Sequence, residues 1–210
     1  MGISYRKMLK KDHAAIKRLV TEAWFDGYDF PKCVIKMYAK GYLYGYLSES
    51  NFRYVAVNDN DETVGFIFGR VKKVGFWQRF YYNFRLALVG FKLLFFKSGR
   101  RGIKIERITN KVNSKLLKQS PVELRNELVL FIVDSNYRKN GIGTVLEKLY
   151  VDYVKANNED KYFLYTDTYS NVGYYESKGY KRASEAVVNF KIKGEIEDPL
   201  PIYYVYYKEV

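Results

Sequence analysis

The sequence predicts an α/β fold: a mixed central sheet flanked by helices, plus a basic amphipathic helical insert. Three observations predict it. Residues Glu127–Val133 form a nearly continuous apolar run, as expected of a strand buried on both faces. Paired glycines follow in Arg138-Lys-Asn-Gly-Ile-Gly-Thr144, and then Ile142, Val145, Leu146, Leu149, Tyr150, Tyr153 and Val154 recur near helical period. A second strand-like run occupies 162–168, and a strand–helix–strand unit implies parallel pairing.

The other elements follow in order. Residues 3–8 read as a short first strand. Asp12 is placed to cap a helix over 14–25, with Ile16, Leu19, Val20 and Ala23 at helical spacing. His13, the only histidine, is an ordinary residue at its start. Pro31 opens a second helix over about 32–47, on which the lone Cys33 is read as a small core residue. Residues 52–57 and 63–71 alternate as strands around Asn58-Asp-Asn-Asp61, a hairpin signal. An insert follows at about 72–120. Beyond the strand–helix–strand unit, 171–177 is a short helix stopped by Gly179. Strands at 186–192 and 202–207 are joined by a polar turn holding Pro199 and Pro201. Residues 1–210 read as a single domain carrying the insert.

The first residues, Met-Gly-Ile-Ser-Tyr-Arg-Lys, hold no apolar targeting segment, so a cytoplasmic location is expected. Arg6 stands where myristoylation wants Ser or Thr. One cysteine excludes an internal disulfide, and one histidine without cysteine partners argues against zinc; no metal is expected. The net charge of +13 is concentrated. Residues 70–119 hold fourteen Lys/Arg and a single acid, Glu106, while the remainder is neutral. The 22 tyrosines are an excess that the sequence does not explain.

A strand that turns into a helix through paired glycines is a ready anion site, because the first helical amides lack partners and glycine lets backbone approach closely. There is no Gly-x-x-x-x-Gly-Lys-Ser/Thr and no dinucleotide-type third glycine. Arg138-x-x-Gly141-x-Gly143 resembles the acyl-CoA-binding motif of the GNAT superfamily of N-acetyltransferases, Gln/Arg-x-x-Gly-x-Gly/Ala. Downstream, Asn171-Val-Gly-Tyr174-Tyr175-Glu176-Ser-Lys-Gly179-Tyr180 resembles the family's second signature, an Asn opening a short helix followed by Phe/Tyr-Tyr-Glu-x-x-Gly-Phe/Tyr. The resemblance covers 127–182 firmly, 3–71 by pattern, and 72–120 not at all.

The resemblance implies a mostly antiparallel sheet whose parallel strands splay apart, in the order βααββ–αβαββ. It implies acetyl-CoA as co-substrate and a small-molecule or peptide amine as acceptor, joined by direct attack in a ternary complex. The pyrophosphate is expected on the amides of Arg138, Lys139, Asn140, Gly141, Ile142, Gly143 and Thr144. The pantetheine is expected along Ile132 and Val133, with the Val133 N–H or a near neighbour on the thioester oxygen. Tyr175 matches the family's general acid, Tyr174 is expected against cofactor or core, and Asn171 matches the Asn that contacts pantetheine or ribose. Glu127, 14 residues before Gly141, stands where the histone-type branch keeps its general base. A carboxylate at the rim of an apolar strand can have a raised pKa suited to that role. Asp167 is an alternative base and Asp134 another nearby acid, while Glu147 and Lys148 read as a solvated face. A CoA-binding or membrane-associated regulatory module without turnover is the competing reading.

The insert divides into an aromatic stretch, 76–96, and a basic, polar stretch, 99–119. Charges interrupt the apolar run well short of the roughly 20 residues a membrane span needs. On a helical wheel Gln78, Arg79, Asn83, Arg85, Lys92 and Lys97 share about half the circumference, leaving a broad apolar face. Three readings compete: packing over the sheet or a homodimer interface; a lid or wall of the acceptor pocket; and peripheral docking on an anionic membrane through 72–119. Nucleic acid is disfavoured because no reader motif accompanies the charge.

Overall fold

The structure is a computed structural model describing residues 2–25, 30–170, 172–188 and 200–210. The chain enters as β1 (Ser4–Lys7) and passes through a 3-10 turn at Lys10–Asp12 into α1 (His13–Trp24) and α2 (Lys32–Glu49). The hairpin β2 (Phe52–Val57) and β3 (Thr63–Arg70) follows, and the insert forms α3 (Phe76–Leu93) and α4 (Lys97–Gln119). Then come β4 (Glu127–Val133), α5 (Ile142–Ala156), β5 (Lys161–Asp167), α6 (Val172–Ser177), β6 (Lys181–Val187) and β7 (Ile202–Glu209).

The seven strands form one sheet in the order β1-β2-β3-β4-β5-β7-β6. Every pair is antiparallel except β4–β5, which is parallel as expected. β4 and β5 are in register only at Glu127 and Phe163, so the two strands part beyond their first residues. This is the predicted splay, and it divides the sheet into two halves.

One face of the sheet is covered by α5, whose Ile142, Leu146, Tyr150 and Val154 lie at four-residue spacing and are fully buried against Ile67, Leu128 and Leu164. The other face carries α1 and α2, with Ile16, Leu19, Leu43 and Leu47 on Val55, Phe66, Phe68 and Leu130. Leu128 and Leu130 face opposite sides although two residues apart. A β-bulge causes this: the register with β3 steps from Phe68–Leu130 to Gly69–Leu128, leaving Val129 extra.

Several expectations need correction. Asp12 does not cap α1. Its carboxylate accepts the Leu9 N–H at 2.6 Å, the Arg6 guanidinium at 2.7 and 2.8 Å and the Thr63 hydroxyl at 3.1 Å. Burial raises its pKa, but these donors outweigh that and hold it below the ordinary value. Cys33 is exposed, since the inner side of α2 is taken by Val34 and Tyr38. β6 starts five residues early, because Gly179 (φ 77°) stops α6 and the chain turns straight into an edge strand. That strand is polar, Lys-Arg-Ala-Ser-Glu-Ala-Val, and so lacks an apolar signature. The rest of the predicted 186–192 strand and Pro199 lie outside the described residues. The stretch read as basic and polar is a 23-residue helix, α4.

The insert bridges the two half-sheets. α3 packs Leu86, Val89 and Leu93 on Val34, Tyr38 and Tyr44 of α2. α4 is tied to α2 by the Tyr38 hydroxyl, which donates to the Gly99 carbonyl at 2.9 Å. Its far end drops Leu116 onto Phe163 and Val205 of the second half-sheet, and Ser184 donates to the Leu116 carbonyl at 2.8 Å. Trp77, Phe80, Phe84, Leu88, Phe91 and Phe95 are covered by none of this. Among the described residues no helix is long and apolar enough to cross a membrane.

Candidate active site

The gap left by the splay is edged by backbone. Asp134 N–H donates to the Val64 carbonyl of β3's approach at 2.9 Å. Successive residues of a strand point their polar groups to opposite sides. The amides and carbonyls of Val133 and Phe131 therefore face the gap toward β5, while those of Ile132 face β3 in its pair with Phe66. Of the predicted pair, Val133 thus offers backbone to the gap and Ile132 does not. Its inner counterpart is Phe131, which the sequence did not single out.

The gap leads to the predicted anion loop. Gly141 is the N-cap of α5 in the left-handed region, φ 76°, and Lys139 shares that conformation at φ 64°. Val145 is the first amide to take a helical acceptor, the Gly141 carbonyl at 3.1 Å. The amides of Ile142, Gly143 and Thr144 precede it and open the helix without such partners. At Gly143 a side chain would come within 3.1 Å of the Phe131 ring and 3.4 Å of the Tyr174 hydroxyl. Arg138 is exposed, with Nε donating to the Val133 carbonyl at 3.2 Å, and Asn140 donates to the Tyr137 carbonyl at 3.3 Å. A cation missed by sequence reasoning is here too: Lys178 Nζ reaches the Thr144 hydroxyl at 3.1 Å.

Across the gap stands α6. Tyr174 lies toward the loop, its ring 6.2 Å from Phe131. Tyr175 turns inward, its ring 5.3 Å from Tyr180 and 6.4 Å from Tyr206. Burial, with the charges of Glu147 and Asp167 adding, pushes the Tyr175 phenol up to about 12. Asn171 lies outside the described residues. Asp167, the alternative base, has Oδ1 occupied by the amides of Tyr169 and Ser170 at 3.0 and 3.1 Å. Asp134 is likewise engaged, accepting from Asn136 N–H at 3.0 Å and Arg18 at 3.1 Å.

Glu147 is the largest departure from the sequence reading. It is buried, not solvated, whereas its neighbour Lys148 is exposed beside Asp152. The Glu147 carboxylate accepts from Tyr180 at 2.9 Å, Tyr162 at 3.2 Å, Tyr174 at 3.3 Å and Lys208 at 2.7 Å. It joins α5, α6, β5 and β7 at one point. The signal was present: Gly143, Glu147, Tyr150 and Val154 share the buried stripe of α5.

Glu127 lies on the opposite face, under α2. Arg70 Nη2 donates to its Oε2 at 2.5 Å, and Arg70 Nη1 to Glu49 at 3.1 Å. Burial raises the Glu127 pKa, Arg70 opposes this, and Glu49 adds to it; the net shift is upward. Beyond it stands an aromatic cluster. Trp24, Tyr42 and Tyr46 stand 5.0 to 6.0 Å apart ring to ring. The Tyr42 hydroxyl donates to Glu106 at 3.1 Å. Burial raises Tyr46 well above the ordinary phenol value, with Tyr42, Glu106 and Glu127 all contributing, so both carboxylates lie within electrostatic reach of its hydroxyl. Glu106 is exposed as a residue, but its carboxyl is shielded beside Tyr42 and that burial raises its pKa. The one acid of the basic segment thus meets this cluster. Among the described residues no cluster of His, Cys, Asp and Glu suits a metal ion.

A splayed parallel pair, backbone amides along the gap and a glycine-capped helix at its end define an acyl-CoA-dependent acyltransferase. The sequence model of the Acetyltransferase (GNAT) family matches residues 14–180, and the chain belongs to that family. Acetyl-CoA is its acyl donor. No curated protein matches the chain closely. Solved structures share the fold at low identity. The ribosomal-protein-S18-alanine N-acetyltransferase of Escherichia coli is 12% identical with a TM-score of 0.55, over 100% of this chain and 94% of that one. Arabidopsis thaliana NAA60, solved with a bisubstrate analogue, is 13% identical with a TM-score of 0.55, over 99% and 98%. A chain of the NatC complex bound to Gag peptide and CoA is 16% identical with a TM-score of 0.53, over 100% and 99%.

Proposed function

We propose that residues 1–210 act as one cytoplasmic N-acetyltransferase domain that moves acetyl from acetyl-CoA to a cationic amine by direct attack in a ternary complex. The observation that carries the reading is the β4–β5 gap, edged by the Phe131 and Val133 amides and ending on the N-terminal amides of α5. Acetyl-CoA supplies the acetyl group as an activated thioester. Gly141 to Thr144 hold the pyrophosphate, helped by Arg138, Lys139, Asn140 and Lys178. Val133 pairs with the pantetheine, and the Phe131 or Val133 N–H faces the acyl oxygen as negative charge grows there.

Glu127 receives one proton of the incoming ammonium through a relay of several waters, since it lies four residues, about 13 Å of extended strand, from Phe131. The C–N bond forms, the tetrahedral adduct then expels the sulfur as the C–S bond breaks, and Tyr175 delivers its proton to the departing sulfur and is reprotonated by the second proton of the acylated nitrogen. Glu147 positions α6 for this through Tyr174 and Tyr180. The acceptor class follows from the aromatic cluster of Trp24, Tyr42 and Tyr46, whose rings beside Glu106 and Glu127 suit a cation by quadrupole and charge together. A homodimer and an anionic membrane are the further partners that the exposed face of α3 admits.

The test is thioester consumption with polyamines, aminoglycosides, amino acids and peptides, using acetyl- and longer acyl-CoA. Polyamines or lysine-bearing peptides are expected to turn over, and Glu106→Gln to raise their KM more than it lowers kcat. CoA binding without consumption of thioester by any amine would replace the enzyme reading with a regulatory module.

A further inference from the structure

Helix α3 is apolar on two sides. The side turned to α2 is mixed: Leu86, Val89 and Leu93 pack on Val34, Tyr38 and Tyr44, with polar groups among them. Gln78 donates to the Leu47 and Ser50 carbonyls at 2.9 and 2.8 Å, Arg79 pairs with Glu49 at 2.9 Å, and Arg85 lies over the Tyr44 ring at 4.9 Å. The side turned to solvent is aromatic. Trp77, Phe80, Phe84, Leu88, Phe91 and Phe95 are 77, 59, 58, 51, 62 and 72% exposed. The first five fall on one stripe of α3 that runs about 21 Å along the axis, and Phe95 follows in the turn just past its end. Soluble surfaces rarely leave so continuous an apolar stripe to water. Lys92 flanks it, and Lys97, Arg100 and Arg101 open α4 at its end, all exposed.

We propose that this face docks on an anionic lipid surface, with the aromatic stripe in the headgroup–acyl boundary and the flanking bases on the headgroups. The form is that of an interfacial helix: a strong apolar stripe, bases beside it, and too many charges to span. Charge selects lipid over a second copy of the chain. Residues 70–119 carry fourteen bases against one acid, so apposing two such faces would bring like charges together, whereas an anionic headgroup layer neutralises them. Docking stands independently of the acetyl-transfer reading, since none of the stripe residues belongs to the gap or to the Trp24–Tyr42–Tyr46 cluster.

The experiment is co-sedimentation with phosphatidylcholine vesicles, with and without phosphatidylserine, at low and high salt, alongside light scattering for mass. Expected is a monomer that sediments with phosphatidylserine vesicles at low salt and loses roughly tenfold or more in affinity at high salt, as screening requires. Phe84→Ser/Phe91→Ser should abolish sedimentation with circular dichroism and acetyl transfer in solution unchanged. Lys92→Glu/Lys97→Glu should weaken it only for the anionic vesicles. Equal binding to neutral and anionic vesicles would overturn the anionic source. A dimer that ignores vesicles would assign the face to a second copy, and a monomer that ignores both would remove docking altogether.

Discussion

Tyr175 holds its proton because of what surrounds it. Burial and the negative charges of Glu147 and Asp167 push its phenol up to about 12, so it stays protonated through the neutral range, as a proton donor must. Tyr175→Phe removes the proton and little else, because the ring keeps its packing on Tyr180 and Tyr206. We expect kcat to fall roughly 100-fold with CoA affinity little changed; calorimetry and steady-state rates check both, and equal turnover would take Tyr175 out of the mechanism. Glu127 shifts upward too, so its basic form is lost as pH falls through a value above the usual carboxylate range. The wild-type rate should therefore decline on the acid side, and Glu127→Gln should flatten that limb while lowering the plateau. An unaltered profile would point to water or to an acceptor already deprotonated. At this scale the sequence revealed the residues that carry motifs and missed those that act by convergence. Glu147 looked like half of a Glu-Lys pair on an open helix face. Only folding brings the hydroxyls of Tyr162, Tyr174 and Tyr180 to it from three other positions, which also accounts for part of the tyrosine excess.

Elements were legible where the pattern was local and apolar. β4 appears at its predicted bounds because a central strand packed on both faces is apolar at nearly every position, although only Leu128 and Leu130 are buried and the residues edging the gap are half-buried. The loop into α5 was legible because Arg138-x-x-Gly141-x-Gly143 lies on a strand-to-helix turn and is followed by the second signature at 171–180. β6 was displaced because an edge strand carries charges, and α4 was missed as a helix because its outward face is so basic. The bulge at Val129 leaves no sequence mark, yet it turns Leu128 and Leu130 to opposite faces. The loop makes a prediction of its own. Gly141 has φ 76° and open space around it, so any side chain there is strained but not blocked. Gly141→Ala should cost about 1 kcal/mol of stability through the left-handed backbone alone. Gly141→Asp adds a carboxylate where the helix amides await a pyrophosphate, and should weaken CoA binding at least about tenfold beyond the alanine variant. Equal CoA affinity in the two folded variants would mean that the pyrophosphate does not sit on α5.

At the scale of the whole molecule, the splay that opens the β4–β5 gap also divides the sheet. β4 and β5 are in register at a single position, so the β1–β4 half and the β5–β7–β6 half need other ties. α5 supplies one on its face, through Tyr150 and the Glu147 cluster. On the other face the tie is the insert, for which the sequence offered packing over the sheet as one of three readings. α3 and the start of α4 are fixed to α2, and the end of α4 is fixed to the second half-sheet by Leu116, fully buried against Phe163 and Val205. This arrangement was illegible in sequence because it depends on where the two ends of one segment land. It predicts that Leu116→Ala acts on both stability and catalysis. Loss of a fully buried leucine should cost about 3 kcal/mol, read by urea unfolding. Because α4 also carries Glu106, loosening its far end should raise the KM for the amine acceptor while leaving CoA affinity near wild type, since the loop at Gly141 is held by α5. Val154→Ala, a fully buried residue near the end of α5 on the opposite face of the sheet, provides the comparison: it should destabilise without the KM effect. A KM unchanged in Leu116→Ala, or raised equally in both variants, would mean that the insert adds stability without shaping the acceptor side of the site.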